Sequence, residues 1–398
     1  MKDFFKKKTL QLLDHSIVAV FAIGLLSLYT LIIFNLSFLN PISKAIEEFS
    51  MTDEYFQMLP EKDCHNITIV DLSPLESRSE IAMAVEQIES CNPTVIGLDC
   101  VFRQKKDTIG DEMLREVASQ YDNIVFAVML SDEHNNASGY NVASRSFFAD
   151  ELPIHEGITN MPRNLYGGIK RKLRLGWNVL GEKKLSVVGE VVNTYVGKEL
   201  VNVDMEDLDI NFSPTRFDVI KPAEILQNRD KIEGRIVMFG TMTDETDMHY
   251  TPLGKIPGII LLAYSVQTIL EHSEIIHLPF VINLIITLLI VVFTDILLSR
   301  YKKMAKRLKY KALKHFVISP YIINFFIFVW IALLLWFSFI VFCFNNIALN
   351  IGWAIAAIAF IASAHLVRYD IIYYYDLLKQ KRRKIINKNI SHNEKKGN

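Results

Sequence analysis

Positive charge in this chain gathers at the edges of four long apolar segments, and that placement limits the fold more than any other feature. Of 43 Lys and Arg, 4 precede the first apolar run, 8 crowd Arg300 to Lys314, and 9 follow the last run between Arg368 and Lys396. The block from Asn40 to Leu278 holds the other 22 against 38 Asp and Glu, a net charge of −16. Loops rich in Lys and Arg are retained on the cytoplasmic side of a membrane. The pattern therefore predicts both termini inside and the acidic block outside.

Each span is legible. Residues 1–15 form a basic leader, and 16–39 carry no charged side chain, enough to cross a hydrocarbon core of roughly 30 Å. This run is longer than the apolar core of a cleaved signal peptide and lacks a small-x-small site at its end, so it reads as an anchor. Residues 279–298 form the second span, with Asp295 near its cytoplasmic end, and 299–317 a basic cytoplasmic loop. Spans 318–344 and 347–367 are separated by Asn345 and Asn346, a pair suited to a tight turn. Residues 368–398 form a basic tail. The Lys-, Ile- and Asn-rich composition points to an AT-rich bacterium, which places the exported block, 40–278, in the periplasm and the spans in the inner membrane. Cys64, Cys91 and Cys100 leave one thiol over whatever pairing is drawn.

Within 40–278, short β-branched runs alternate with helical periodicity. Ile67 to Val70 reads as a buried strand ending at Asp71. Helical spacing follows at Ile81, Val85 and Ile88, then a strand from Thr94 with Asp99 after Leu98, a helix from Gly110 to Gln120, and a strand from Ile124. This βαβαβ order predicts a parallel sheet with right-handed crossovers. Beyond it, Gly167 and Gly168 predict a turn before a basic strand in which Lys172 and Arg174 share one side. A helix spans Ser186 to Val196, a short strand starts at Asp209, and a short helix covers Pro222 to Gln227. Arg235-IVMFG is a further buried strand, followed by the polar turn from Thr241 and a helix from Ile259. The fold class is an α/β periplasmic domain with a mainly parallel sheet, plus four transmembrane α-helices.

The order Ile69-Val70-Asp71, Val95-IGLDCVF, Gly168-IKRKLRL, Lys231-IEGRIVMFG and Asp247-MHYTPLGKIPGIILLA resembles the second type of CHASE domain, the cyclase/histidine-kinase-associated sensory extracellular domains of bacteria. Thr251-PLG with Pro257-Gly258 is its most specific piece. The resemblance implies one N-terminal anchor, a periplasmic sensory domain and several spans ahead of a cytoplasmic output module. Ser73-PLESR stands where relatives carry a Trp-Pro-rich stretch ending in Arg, leaving Arg78 as the match. Ile260 and Leu262 replace an acidic residue and a His. About 30 residues follow the last span, so the expected output lies on another polypeptide.

In an open α/β sheet, ligands bind beyond the carboxyl ends of the strands. Asp71 and Asp99 are expected at the ends of adjacent strands, with Asp244, Asp247 and His249 after the strand ending at Gly240, and with Arg103 and Thr251 nearby. Carboxylates and an imidazole suit a divalent cation or a small polar ligand. The competing reading is that each Asp caps a helix or fixes a turn. Arg103, Lys105, Lys106, Arg171, Lys172 and Arg174 suit an anion or a solvated face. No nucleophile elbow, phosphate loop or CxxC is present, and the basic loop and tail abut spans, so membrane topology and anionic headgroups explain them without nucleic acid. The chain is thus read as a sensor subunit, not an enzyme, without cofactor. Its expected partners are the membrane, a small ligand and a separate output protein, with homo-oligomerisation left open. A non-sensing envelope scaffold is the alternative, and a metal-dependent periplasmic hydrolase ranks last.

Overall fold

The computed structural model describes residues 2–35, 50–131, 142–161, 168–179, 181–205 and 207–394. The end of the first expected span, 36–39, and Gly167 of the glycine pair lie outside the described residues. Two compact units are present, one of Thr52–Ile276 and one of Met1–Met51 with His277–Asn398. Helix α1 (Lys2–Asn35) opens the second of these.

The polar unit starts with α2 (Met51–Met58) and β1 (Lys62–Asp71), a strand that begins ahead of the expected Ile67. Helix α3 (Arg78–Ser90) begins at a capping box. The Ser77 hydroxyl accepts from the Glu80 amide, and the Glu80 carboxylate accepts from the Ser77 amide at 3.0 Å, an arrangement that satisfies two orphan donors of the first turn. Strand β2 (Val95–Leu98) leads to α4 (Thr108–Gln120), whose cap is Asp107, and then to β3 (Ile124–Ser131), β4 (Val142–Ser144) and β5 (His155–Ile158). Two small antiparallel pairs follow, built from β6 (Lys172–Arg174), β7 (Gly176–Val179), β8 (Glu182–Leu185) and, after α5 (Val187–Val196), β9 (Asp207–Asp209); β6 pairs with β9 and β7 with β8. Strand β10 (Thr215–Ile220) precedes a 3-10 segment over Pro222–Lys231, β11 (Ile236–Gly240), the hairpin β12 (Met248–Thr251) and β13 (Gly254–Pro257), and α6 (Gly258–Leu270).

The main sheet runs in the order β10-β1-β11-β2-β3-β4, with β5 also on β3, and every pair but β3–β4 is parallel. The expected parallel sheet is present, with one correction. Strands β1 and β2 are not adjacent, because β11 runs between them: Asp71 is opposite Gly240, and Phe239 is opposite Leu98. Central parallel strands are covered on both faces and so read as unbroken apolar runs. On one face Val85, Ile88, Leu114 and Val117 of α3 and α4 pack on Val70, Ile96, Leu98, Phe126 and Phe239. On the other face lie Val187, Val188 and Val191 of α5 and Ile259, Leu262 and Val266 of α6, all buried. Burying each such side chain contributes roughly 1.5–3 kcal/mol. All four cysteines are unpaired.

The apolar unit comprises α1, α7 (Phe280–Lys306), α8 (Lys311–Ile318), α9 (Pro320–Asn345), α10 (Gly352–Ala359) and α11 (Ile361–Glu394). Three of them are long and apolar enough to cross a membrane: Gln11–Asn35, Phe280–Lys306 and Pro320–Asn345. The expected fourth span falls on a pair of helices, α10 and the first part of α11, that are bent by 53° and are apolar enough to cross as one broken span. Within the expected basic loop 299–317, α7 continues to Lys306 and α8 starts at Lys311. Asn346 ends α9 at φ 53°, a left-handed conformation that Asn tolerates well, so the Asn pair forms the turn. Small residues let these helices approach closely: Val18, Ala19, Ala22, Val291, Ala357, Ile358, Ile361 and Ala364 form one buried cluster.

Candidate functional site

Parallel strands end on a common side, so the residue after each of them lands on one rim. Strand β1 ends at Asp71, β2 leads into Asp99, β5 leads into Thr159, and β11 opens into the polar turn from Thr241. Because β11 stands between β1 and β2, its turn enters the rim between their ends.

Asp99 is the rim's most perturbed group. The Thr159 hydroxyl donates to its Oδ1 at 2.8 Å. Its pKa is pushed up to about 6, first by burial, and further by the neighbouring negative charge of Asp247; the Thr159 bond and His249 act in the opposite sense. His249 Nε2 lies 3.4 Å from Asp247 Oδ1, an ion pair when the imidazole is protonated. The Asp247 carboxylate also lies against Gly258, the first residue of α6. A Cβ there would stand 2.4 Å from Oδ2 and 2.5 Å from Oδ1, so the close approach requires glycine. Pro257 at the helix cap offers no capping side chain, and a negative charge beside the free amides of a helix N-terminus is favourable by roughly 0.3–1 kcal/mol.

The other expected site residues are turn-formers. Asp71 Oδ1 accepts from the Ser73 amide at 2.9 Å, the Ser73 hydroxyl at 2.6 Å and the Met242 amide at 3.2 Å, which ties the turn after β1 to the turn after β11. Exposed Asp244 accepts from the Thr246 hydroxyl at 2.7 Å and the Thr246 amide at 2.9 Å, and these bonds lower its pKa. Thr251 closes the β12–β13 hairpin, donating to the Gly254 carbonyl at 2.9 Å and accepting from the Leu253 amide at 3.2 Å. Arg103 is exposed, with Nη2 2.9 Å from Met129 Sδ, and forms no ion pair with the rim. The rim thus brings together Asp99, Asp247 and His249, and it adds Thr159, which the sequence reading passed over because β5 lies in the irregular middle. Placing Thr159 would have required recognising the four-residue run His155–Ile158 as a strand.

Among the described residues, no group of three His, Cys, Asp or Glu is placed to hold a metal ion. Asp71 and Asp244 spend an oxygen on nearby backbone amides, whereas Asp99 and Asp247 do not. What remains is a partly desolvated acid, a hydroxyl donor and an imidazole–carboxylate pair, suited to hydrogen-bonding a small polar ligand.

Three of the expected basic residues, Arg171, Lys172 and Arg174, are neutralised locally. Arg171 Nη2 and Nε reach Asp53 at 2.6 and 2.9 Å, Lys172 pairs with Asp209 at 3.1 Å, and Arg174 pairs with Asp207 at 3.2 Å. Lys172 and Arg174 flank buried Leu173, so they share the outer face as expected. Arg78 bonds Asp111 and stacks on Phe102 and Phe147, with its charge 5.6 and 5.4 Å from the ring centres, which locks α3 to α4.

A family model described as the CHASE2 domain matches residues 25–297, which include the whole sheet and parts of α1 and α7. The chain belongs to the CHASE2 family. CHASE2 domains are sensory, so a sensory role in general follows for this chain. No curated protein and no solved structure matches it. In this CHASE2 chain, Thr251-PLG is the tight turn between β12 and β13, and Pro257-Gly258 starts α6 where Asp247 lies against it.

Proposed function

We propose that the Thr52–Ile276 unit is the receiving domain of a sensor in a bacterial inner membrane, facing the periplasm, with both ends of the chain in the cytoplasm. The observation that carries this reading is the extent of the family match, which takes in the α/β domain together with apolar helix on either side of it. The charge map supports the orientation. It assigns the start of α1, the end of α7 and the end of the last span to one side, and His15, Asp295 and His365, from those three places, are in contact.

A small polar ligand engages Asp99, Thr159, Asp247 and His249. A ligand shifts an equilibrium only by binding its two states differently; here the lever is the Asp247–Gly258 contact, since α6 is the last helix of the domain before the chain enters α7. The response passes to a cytoplasmic output partner, and no catalytic step is assigned.

The test is a melting screen of the purified domain against small polar metabolites. A ligand at a hundredfold excess over its dissociation constant stabilises by about 2.7 kcal/mol, and Asp99→Asn with Asp247→Asn should remove that shift while leaving the domain folded. A shift that survives both substitutions moves the ligand away from the rim. A screen in which nothing raises the melting point favours the scaffold.

A further inference from the structure

Three ionisable side chains meet inside the apolar unit. Asp295 of α7 is 1% exposed, and both its carboxylate oxygens are engaged. His15 Nδ1 of α1 lies 2.7 Å from Oδ2, and His365 Nε2 of α11 lies 2.9 Å from Oδ1. Buried Val18, Ala19, Ala22, Val291, Ile361 and Ala364 line the same helices. Ionisable groups within membrane segments are expensive to hold, which makes them markers of function. The geometry points to a proton-binding site: His15, Asp295 and His365 share protons, and the number held sets how firmly α1 and α11 are clasped to α7.

The charge states follow from the contacts. With both imidazoles neutral, each donates its one N–H to Asp295 and the trio carries one negative charge. A proton taken up at the far nitrogen of either ring, His15 Nε2 or His365 Nδ1, makes the trio neutral without breaking either bond. A second makes it positive. Apolar surroundings oppose either net charge. The other charged groups nearby do not offset it, because Asp14 of α1 and Arg368 of α11 pair with each other at 2.6 Å. Helix α10 carries no titratable residue. From α9, Trp330 Nε1 donates to Thr294 Oγ1 at 2.9 Å, a neutral contact next to Asp295. The next charges along α7 and α11 are Arg300 and Asp370. The His365 side chain is 43% exposed and the His15 side chain 20%, so the two imidazoles enclose a carboxylate that is itself buried. This inference stands on the helices alone and does not rest on the sensor reading.

The test uses the full chain in nanodiscs of zwitterionic lipid, with 15N-labelled histidine and fluorinated tryptophan. His15→Gln and His365→Gln assign the two imidazoles, and Trp330→Phe assigns the fluorine signal beside the trio. Across a pH series the His15 and His365 signals should respond as a coupled pair, each altered by loss of the other. The Trp330 signal should move in step. Asp295→Asn should abolish both the coupling and the Trp330 response, and if that variant does not fold, the two His variants decide alone. Imidazoles that titrate independently, or a Trp330 signal that stays still while they titrate, would overturn the proposal.

Discussion

Asp99→Asn should stabilise the polar unit above about pH 6 and leave it nearly unchanged in acid. The wild-type carboxyl is raised from 3.8 to about 6, chiefly by burial. Its folded form therefore holds a proton more tightly than its unfolded form. Below pH 3.8 both forms are protonated and no penalty exists. Between the two values the penalty grows with pH, and above about 6 it is constant. At about 1.4 kcal/mol per pH unit the ceiling is roughly 3 kcal/mol, and residual solvent access brings the expected effect to roughly 1–2 kcal/mol. The assay is urea unfolding of the Thr52–Ile276 unit, which has its own closed core, followed through Trp177, its only tryptophan and 4% exposed. Glu89 is raised to about 7 by burial and imposes a slope of the same sign. That slope is common to both proteins and cancels in the difference between variant and wild type. The difference should rise between about pH 4 and pH 7 by the amount given above. A flat difference would refute the reasoning by showing that Asp99 is not desolvated. A falling one would show an anion held by His249.

Gly258→Ala should cost roughly 1–3 kcal/mol, because the added methyl meets the Asp247 carboxylate. Combined with Asp247→Ala it should cost less than the two single changes together, and strict additivity in thermal melts would deny the contact. Asp247→Ala should lower the melting point more than Asp244→Ala, since Asp244 serves only an exposed turn; equal melting of the two variants would count against a special role for Asp247. A reporter fused after Lys309 should behave as cytoplasmic and one inserted at exposed Lys198 as periplasmic, and the reverse pattern would sink the proposed orientation.

Much of the architecture was legible without coordinates. Apolar β-branched runs at Ile67–Val70, Val95–Leu98, Ile124–Leu130 and Ile236–Phe239 are strands. The helix start at Ser186 was placed from the sequence, while the caps at Ser77 and Asp107, whose side chains accept from the first free amides, stand ahead of the starts expected there. Three of the four apolar segments are long helices, and Asn345-Asn346 is the turn that ends the third of these, because span length and turn chemistry are local properties. The Thr251-PLG signature was recognisable as well, and the structure shows it closing a hairpin.

Site composition was less legible. Asp71, Asp244 and Thr251 have the residue types of a binding rim, yet each spends its oxygens on neighbouring amides or hydroxyls, and sequence spacing does not say which of the two a carboxylate will do. Thr159 went unseen because its strand is four residues long. Periodicity reports which face of an element is buried, but not which element buries it. Only the tertiary structure decided that β11, about 170 residues after β1, enters between β1 and β2, that Asp247 rests on Gly258, and that His15, Asp295 and His365 form one cluster. Those neighbours are set by crossover connections and side-chain packing between distant segments, and no local pattern of residues carries that information.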